Sequence, residues 1–212
     1  MTDIDPDSDE PKKAKKRKIP RPMTYERLEY RAFAHIGRFA CSEEELRRVL
    51  VRAVRRNARF HPLEDDKAAE AEAWIEQIMT KLGEMALLDD SAYAALKVRS
   101  GHRQGKGMRA MRFDLGRRGV GDEEIEDGVR QLSEEEGYET PADADLIAAI
   151  DFVRRRKLGP LRPDENLRQE TRNKDMQALA RRGFGLDIIR KIMDARDESE
   201  LDLMRQSVVQ NM

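Results

Sequence analysis

The chain has 212 residues, of which 39% are charged and 5% are aromatic, and its mean hydropathy is −0.81. This composition excludes one large, deep core and favours amphipathic helices that each bury a narrow apolar stripe. Cys41 is the only cysteine, which excludes an internal disulfide framework and is typical of a reducing compartment. No stretch approaches the ~20 apolar residues of a membrane-spanning helix, and the amino terminus lacks the apolar core of a secretory signal. We therefore expect a cytoplasmic protein that does not enter a membrane.

Residues 1–22 combine an acidic block, a basic block and four prolines. The acidic block runs from Asp3 to Glu10 and the basic block from Lys12 to Lys18. Such a segment buries too little apolar area to offset the entropy of ordering it, so we predict a disordered tail. A solubilising role, contact with nucleic acid and a nuclear-import signal are all compatible with the basic block.

Beyond the tail, apolar residues recur at helical spacing almost without interruption, and no alternating strand pattern is present. A first helix over about 24–40 precedes a second, which Ser42 and Glu45 begin as a capping box. A third helix ends at Gly83. We assign this first three-helix repeat to residues 23–83.

Two further trios follow in chain order. The second repeat, residues 84–137, has Asp90 and Asp122 as predicted helix caps. The third, residues 138–196, begins at Thr140-Pro141, a cap followed by proline at the first helical position. Its first helix is predicted to end at Gly159-Pro160, and its other two to cover about 164–182 and 186–194. Residues 197–212 are predicted to form a tail or short helix. The sequence thus predicts nine helices in an elongated, curved all-α array of three tandem three-helix repeats.

A repeated pentapeptide supports this periodicity. Arg-Arg-Gly-Val-Gly at residues 117–121 returns as Arg-Arg-Gly-Phe-Gly at residues 181–185, and the leading glycines lie 64 residues apart (183 − 119). Glycine tolerates the left-handed backbone that ends a helix, so each copy predicts a helix, a tight stop and another helix. A repeated helical module without chemical residues at its joints favours a binding surface over an active site.

Basic residues concentrate between Lys97 and Arg118, where Asp114 is the one acid, and an acidic block from Asp122 to Asp127 follows at once. Like charges accumulated on one helix are mildly unfavourable unless a partner compensates them. A second basic cluster lies at residues 154–156, and both clusters could face one groove if the repeats stack along one axis. The predicted partner-binding residues are Arg99, Arg103, Lys106, Arg109, Arg112, Arg117, Arg118, Arg154, Arg155 and Arg156.

No catalytic, cofactor-binding or metal-binding motif stands out. Gly105-Lys106 lacks the glycine spacing, the following hydroxyl residue and the preceding strand of a phosphate-binding loop. His35, His61 and His102 are scattered, without a second ligand at metal spacing. Asp89-Asp90 fits helix capping in a charged turn better than acid–base catalysis. We expect no enzyme activity, no cofactor and no metal.

A pattern distributed over the second repeat consists of a Leu-Asp-Asp turn, an aromatic-Ala pair, an arginine, a glycine linker, and a leucine before an Arg-Gly-apolar stop. The residues that carry it are Leu87-Leu88-Asp89-Asp90, Tyr93-Ala94, Arg99, Gly105-Lys106-Gly107, Leu115 and Arg118-Gly119-Val120. This pattern resembles the RecX family, the bacterial regulators of the RecA recombinase. Ser42 with Glu45-Leu46-Arg47 resembles the first repeat of that family, and residues 152–160 resemble its third, as found in some branches. The likeness spans about residues 25–195. It departs before Ser42, where members of the family usually carry an arginine: here Phe39-Ala40-Cys41 precede the serine, and Arg38 stands one position early.

The resemblance implies a non-enzymatic regulator of DNA repair, homologous recombination and the SOS response. Such a protein would lie in the groove of a RecA–DNA filament as a monomer, contact RecA and DNA phosphate, and lower strand exchange and ATP hydrolysis. A direct DNA-binding regulator of helix-turn-helix type, acting without RecA, is the alternative, and a passive helical adaptor for another protein is a third. A sequence pI near 6.4 and the acidic block argue against the DNA-binding alternative.

Overall fold

The computed structural model describes residues 19–62 and 65–209. Within these ranges the chain forms ten α-helices and one short 3-10 turn, Gly159–Leu161, and no β-strand. The helices are α1 Tyr25–Ile36, α2 Glu43–Ala58, α3 Asp65–Glu84, α4 Asp90–Arg103, α5 Met108–Arg117, α6 Asp122–Glu136, α7 Pro141–Arg156, α8 Glu165–Arg181, α9 Leu186–Met193 and α10 Glu198–Val209. Most of the predicted tail, residues 1–18, lies outside the described residues.

The helices group into three modules, each around its own apolar core. Leu28, Leu46 and Leu82 are among the fully buried residues of the first core, which α1, α2 and α3 form. A second core lies between α4, α5 and α6, and a third between α7, α8, α9 and α10. Tyr138 packs against both the second and the third core and so bridges them. The predicted fold class, an all-α array of tandem three-helix repeats, is confirmed, while the exact repeat boundaries stay a prediction.

Several local signals act as the sequence predicts. Ser42 and Glu45 form the capping box of α2, and Thr140 caps α7 with Pro141 in its first turn. Gly119 and Gly183 adopt left-handed backbone, with φ of +83° and +91°. Because residues other than glycine rarely adopt these angles, the two glycines end α5 and α8.

Other local predictions need correction. Asp89, and not Asp90, caps α4 by accepting a hydrogen bond from the Ala92 N–H (2.9 Å). Gly121, and not Asp122, occupies the cap position of α6, so Asp122 lies inside the first turn. In both cases two adjacent residues could serve as the cap, and the sequence does not decide where the helical backbone begins.

The chain end also differs from the expected nine helices. Residues 198–209 form α10, whose Leu201 is fully buried in the third core. Arg205 donates to Asp151 of α7 (2.6 Å) and fixes α10 against that helix. Because Leu201 buries its whole side chain, α10 packs against the rest of the third module and contributes to its core.

Each module junction uses an aspartate from the following module to cap the second helix of the preceding one. Asp90 Oδ1 accepts a hydrogen bond from the backbone N–H of Glu43, the first residue of α2 (2.9 Å). Asp145 Oδ1 accepts the equivalent bond from Met108, the first residue of α5 (2.7 Å). The first N–H groups of a helix have no partner within it, so these carboxylates satisfy them across the junction.

The repeated pentapeptide makes a second contact at each junction. The Arg118 carbonyl accepts a hydrogen bond from the Ser42 hydroxyl at the start of α2 (2.5 Å). In the second copy, the Arg182 carbonyl accepts one from the Gly107 N–H at the start of α5 (2.9 Å). The pentapeptide therefore ends a helix of its own module and also docks on the module before it. The sequence predicted the first of these roles but not the second.

Candidate partner-binding surface

Helix α5 divides into a buried and an exposed side. Met108, Met111 and Leu115 are each at most 3% exposed and lie in the second core. Arg109 and Arg117 are exposed, as is Phe113 (64%), and they follow one another at one-turn spacing. The Arg117 guanidinium lies over the Phe113 ring, 5.8 Å from its centroid. We call these three residues the α5 stripe.

Phe113 belongs to this surface although the sequence reasoning did not select it. Aromatic residues and arginine are enriched at protein interfaces, and arginine is among the residues whose truncation costs the most binding free energy. The signal was available, because residues 109, 113 and 117 follow a helical i, i+4, i+8 spacing opposite the apolar positions. A search restricted to basic residues could not find it.

Half of the predicted partner-binding residues form ion pairs within the chain. Arg112 binds both carboxylate oxygens of Glu126 on α6 (2.5 and 2.8 Å), and this pairing lowers the pKa of Glu126. Arg99 binds Glu135, also on α6 (2.7 Å). The other internal pairs are Lys106 with Asp114, Arg118 with Glu45, and Arg154 with Asp202 and Glu198.

The acids that compensate these charges come largely from other helices. Along the chain, the basic stretch from Lys97 to Arg118 has few acidic neighbours. In the folded chain, four of its residues nevertheless have a carboxylate partner: Arg99, Lys106, Arg112 and Arg118. Arg118 illustrates the difference, since its partner Glu45 lies in the first module and its guanidinium also donates to the Tyr93 hydroxyl (3.2 Å). A residue held in this way contributes to the junction between modules.

The other half form no ion pair with any residue in the part of the chain that the structure describes. These unpaired arginines are Arg103, Arg109, Arg117, Arg155 and Arg156, and all five are exposed. Arg155 donates to the backbone carbonyl of Arg103 (2.9 Å), so the ends of α4 and α7 lie side by side. The two basic clusters of the sequence therefore meet at this point of the molecule. Their role in binding a partner stays a prediction.

Asp145 lies beneath the start of α5 and supports it. Burial raises its pKa to about 6, although the Met108 N–H and the nearby Arg112 charge act in the opposite direction, and Asp187 of α9 raises it slightly. An unfolded aspartate titrates near ~3.9, so the folded state binds more protons between about pH 4 and pH 6. Asp145 therefore stabilises the folded state near pH 4, and this contribution to the free energy of unfolding is lost as the pH rises through about 6.

We expect Asp145→Asn to remove this pH dependence. The amide oxygen still accepts the Met108 hydrogen bond, and it carries no charge to desolvate. The free energy of unfolding of the variant, relative to the natural chain, should rise by about 2 kcal/mol between pH 4 and pH 7. Urea unfolding followed by circular dichroism at several pH values measures it, and a difference that stays constant with pH would contradict the assignment.

Within the described part of the chain, the histidines and carboxylates form no cluster that is placed to hold a metal ion. His102 is 7% exposed, its Nε2 lies 3.1 Å from the Tyr138 hydroxyl, and burial lowers its pKa. Among residues 19–62 and 65–209, no three His, Cys, Asp or Glu side chains are placed to hold a metal ion. In the same ranges, none of the helices is long and apolar enough to span a bilayer.

Comparison with known proteins gives the arrangement a family. A model of the second three-helix domain of RecX matches residues 89–129. Regulatory protein RecX of Myxococcus xanthus (strain DK1622) is 35% identical over 191 residues, which cover 87% of this chain and 95% of that protein. The chain belongs to the RecX family. Regulatory protein RecX of Agrobacterium fabrum (strain C58 / ATCC 33970) is 32% identical over 166 residues, 77% of this chain and 79% of the relative.

Solved structures agree on the RecX fold. The crystal structure of RecX from Lactobacillus salivarius has a TM-score of 0.53 and 20% identity, covering 84% of this chain and 97% of that one. A second crystal structure, of regulatory protein RecX, has a TM-score of 0.54 and 22% identity, covering 81% of this chain and 72% of that one. The resemblance seen in the sequence is thus confirmed, and the named relatives are regulatory proteins.

Proposed function

We propose that this protein binds RecA, or the groove of a RecA–DNA filament, and inhibits its recombinase and ATPase activity, so that it modulates DNA repair and recombination. The observation that carries the proposal is the set of unpaired arginines around α5, in a chain of the RecX family. Guanidinium groups without an internal ion pair can bind the carboxylates of a protein or the phosphates of DNA.

The physical basis of such binding is many weak contacts. An exposed ion pair contributes on the order of 1 kcal/mol or less, so no single arginine can hold the complex. Contacts repeated along the array would add up, and because they are exposed, salt would weaken them. We place Phe113 at the centre of this surface, since an exposed ring can bury apolar area that the arginines cannot.

The proposal is tested by RecA ATPase activity on single-stranded DNA, with this protein added before or after filament assembly. We expect inhibition in at least one order of addition and weaker inhibition at higher salt. A protein that acts only when added first would limit filament growth, whereas one that acts equally in both orders would bind assembled filaments. Unchanged ATPase activity in both orders would refute the proposal.

The unpaired arginines also keep a direct DNA-binding regulator as a second candidate, because phosphate contacts alone support binding without RecA. Its distinguishing property is affinity for DNA in the absence of any recombinase. Fluorescence anisotropy with labelled duplex and single-stranded oligonucleotides separates the two. Tight binding to DNA alone, with no effect on the RecA ATPase, would favour this candidate.

A further inference from the structure

The first module carries an open groove that the α5 surface does not explain. The groove lies between α1 and α2 and has a volume of about 650 Å³. The aliphatic side chains of Met23, Ala34 and Val49 line it, and we call these three residues its floor. Concave apolar surfaces of this kind on soluble proteins mark interaction sites more often than chance.

Three aromatic side chains stand around this floor, well exposed to solvent. Tyr30 is 76% exposed, Phe39 59% and Phe60 50%. Phe39 contacts the His35 ring, with the ring centroids 5.3 Å apart. Exposing three large rings beside one groove is unfavourable in water, and a partner that covers them gains the free energy of their burial.

The charge around the groove is one-sided. Four exposed arginines line it, Arg27, Arg31, Arg38 and Arg56, against one acid, Glu26. None of these four arginines forms an ion pair with a described residue. Other basic residues of this module do: Arg47 and Arg48 pair with acidic residues of α2 and α3, and Lys81 of α3 pairs with Glu29 of α1. The occupant that fits is therefore negatively charged at its edges and apolar where it meets the floor.

We propose that this groove binds an acidic amphipathic helix of a partner protein. The two walls, α1 and α2, suit a helix that places apolar residues at i, i+3 or i+4 and i+7 on the floor and the three rings. Its acidic residues would pair with Arg27 and Arg31 on one wall and with Arg56 on the other. An oligonucleotide could also stack on the rings, but the aliphatic floor favours side chains over bases. This inference does not depend on RecA being the partner.

The test begins with selection of displayed random peptides, about four helical turns long, against the full chain. We expect enriched peptides to carry acidic residues beside apolar residues at helical spacing. One such peptide, labelled with fluorescein, is then titrated with the full chain. Tyr30→Ser/Phe39→Ser and Arg27→Glu/Arg31→Glu should each weaken its binding by roughly tenfold or more. The control, Phe113→Ser/Arg109→Glu, alters the α5 stripe and should leave peptide affinity unchanged.

Several results would overturn the proposal. One is the absence of acidic apolar peptides among those enriched, and another is equal binding to the groove variants when their circular dichroism spectra match the natural chain. Competition by a single-stranded oligonucleotide that is lost in the same groove variants would assign the groove to nucleic acid. Concentration-dependent dimerisation lost in these variants would assign it to a second copy. Binding seen only after Asp3, Asp5, Asp7, Asp9 and Glu10 are neutralised would assign it to the chain's own amino-terminal segment.

Discussion

Reversing the charge of both Arg109 and Arg117 is expected to raise the concentration that half-inhibits the RecA ATPase by roughly 30-fold. Each reversal removes one attraction and adds one repulsion, and four effects of about 0.5 kcal/mol give this factor. Both side chains are exposed and unpaired, so their replacement leaves the internal ion pairs intact. Arg112 is a poorer target than the sequence suggested, because its reversal would break the two bonds to Glu126.

A control for the change in net charge is available at Arg130 and Arg196. Both are exposed, and each pairs with a residue close by in the sequence, Asp127 or Glu200. Arg130→Glu/Arg196→Glu changes the net charge by the same amount, and neither residue belongs to the α5 stripe. We expect it to change inhibition by about threefold at most, through long-range electrostatics. Equal losses in the two double variants, or no loss in a folded Arg109→Glu/Arg117→Glu protein, would exclude the α5 stripe as the binding surface.

Gly183→Ala is expected to lower the free energy of unfolding by about 2–4 kcal/mol, the largest effect on stability that we predict. Gly183 has a φ of +91°, and an added Cβ would lie 2.5 Å from the backbone nitrogen of Ala110 in the second module. The substitution therefore strains the turn and separates the module junction at the same point. Urea denaturation followed by circular dichroism measures the change.

Gly116→Ala is the control for this prediction. Gly116 lies inside α5, and an added Cβ would meet no atom within 4 Å. Alanine has the higher helix propensity, so we expect a gain of about 0.5–1 kcal/mol. If Gly183→Ala were as stable as the natural chain, the junction would be able to adapt, and the close contact would not determine how the modules meet.

Local patterns in the sequence predicted most of the helices and several of their ends. Capping and left-handed glycine turns depend on neighbouring residues, which explains the correct predictions at Ser42, Thr140, Gly119 and Gly183. The last helix was harder: Asp197 caps α10 by accepting a hydrogen bond from the Glu200 N–H (3.1 Å), but the helix also depends on Leu201 packing into a distant core. Whether residues 198–209 form a packed helix or a tail depends on tertiary contacts, which the periodicity of the sequence does not reveal.

The candidate surface was predictable only in outline. Concentrated basic residues indicated the region that we propose as the surface, but not which of them lack an internal ion pair. Arg112 and Arg109 look alike in the sequence, and only the position of α6 gives one of them a carboxylate partner. Glu126 lies 14 residues from its partner Arg112 along the chain, and Glu135 lies 36 residues from its partner Arg99. Counting charges within one helix therefore cannot find these pairs.

Both module junctions depend heavily on main-chain atoms: two carbonyls, the first amides of α2 and α5, and glycines that admit no side chain. The spatial relation between successive modules is therefore specified by these backbone groups together with the few polar side chains that bind them, Ser42, Asp90 and Asp145. Exterior side chains can then diverge during evolution without disturbing the register of the array. A scaffold of this kind can acquire a new specificity by surface substitution alone, while the spacing between its recognition elements is conserved.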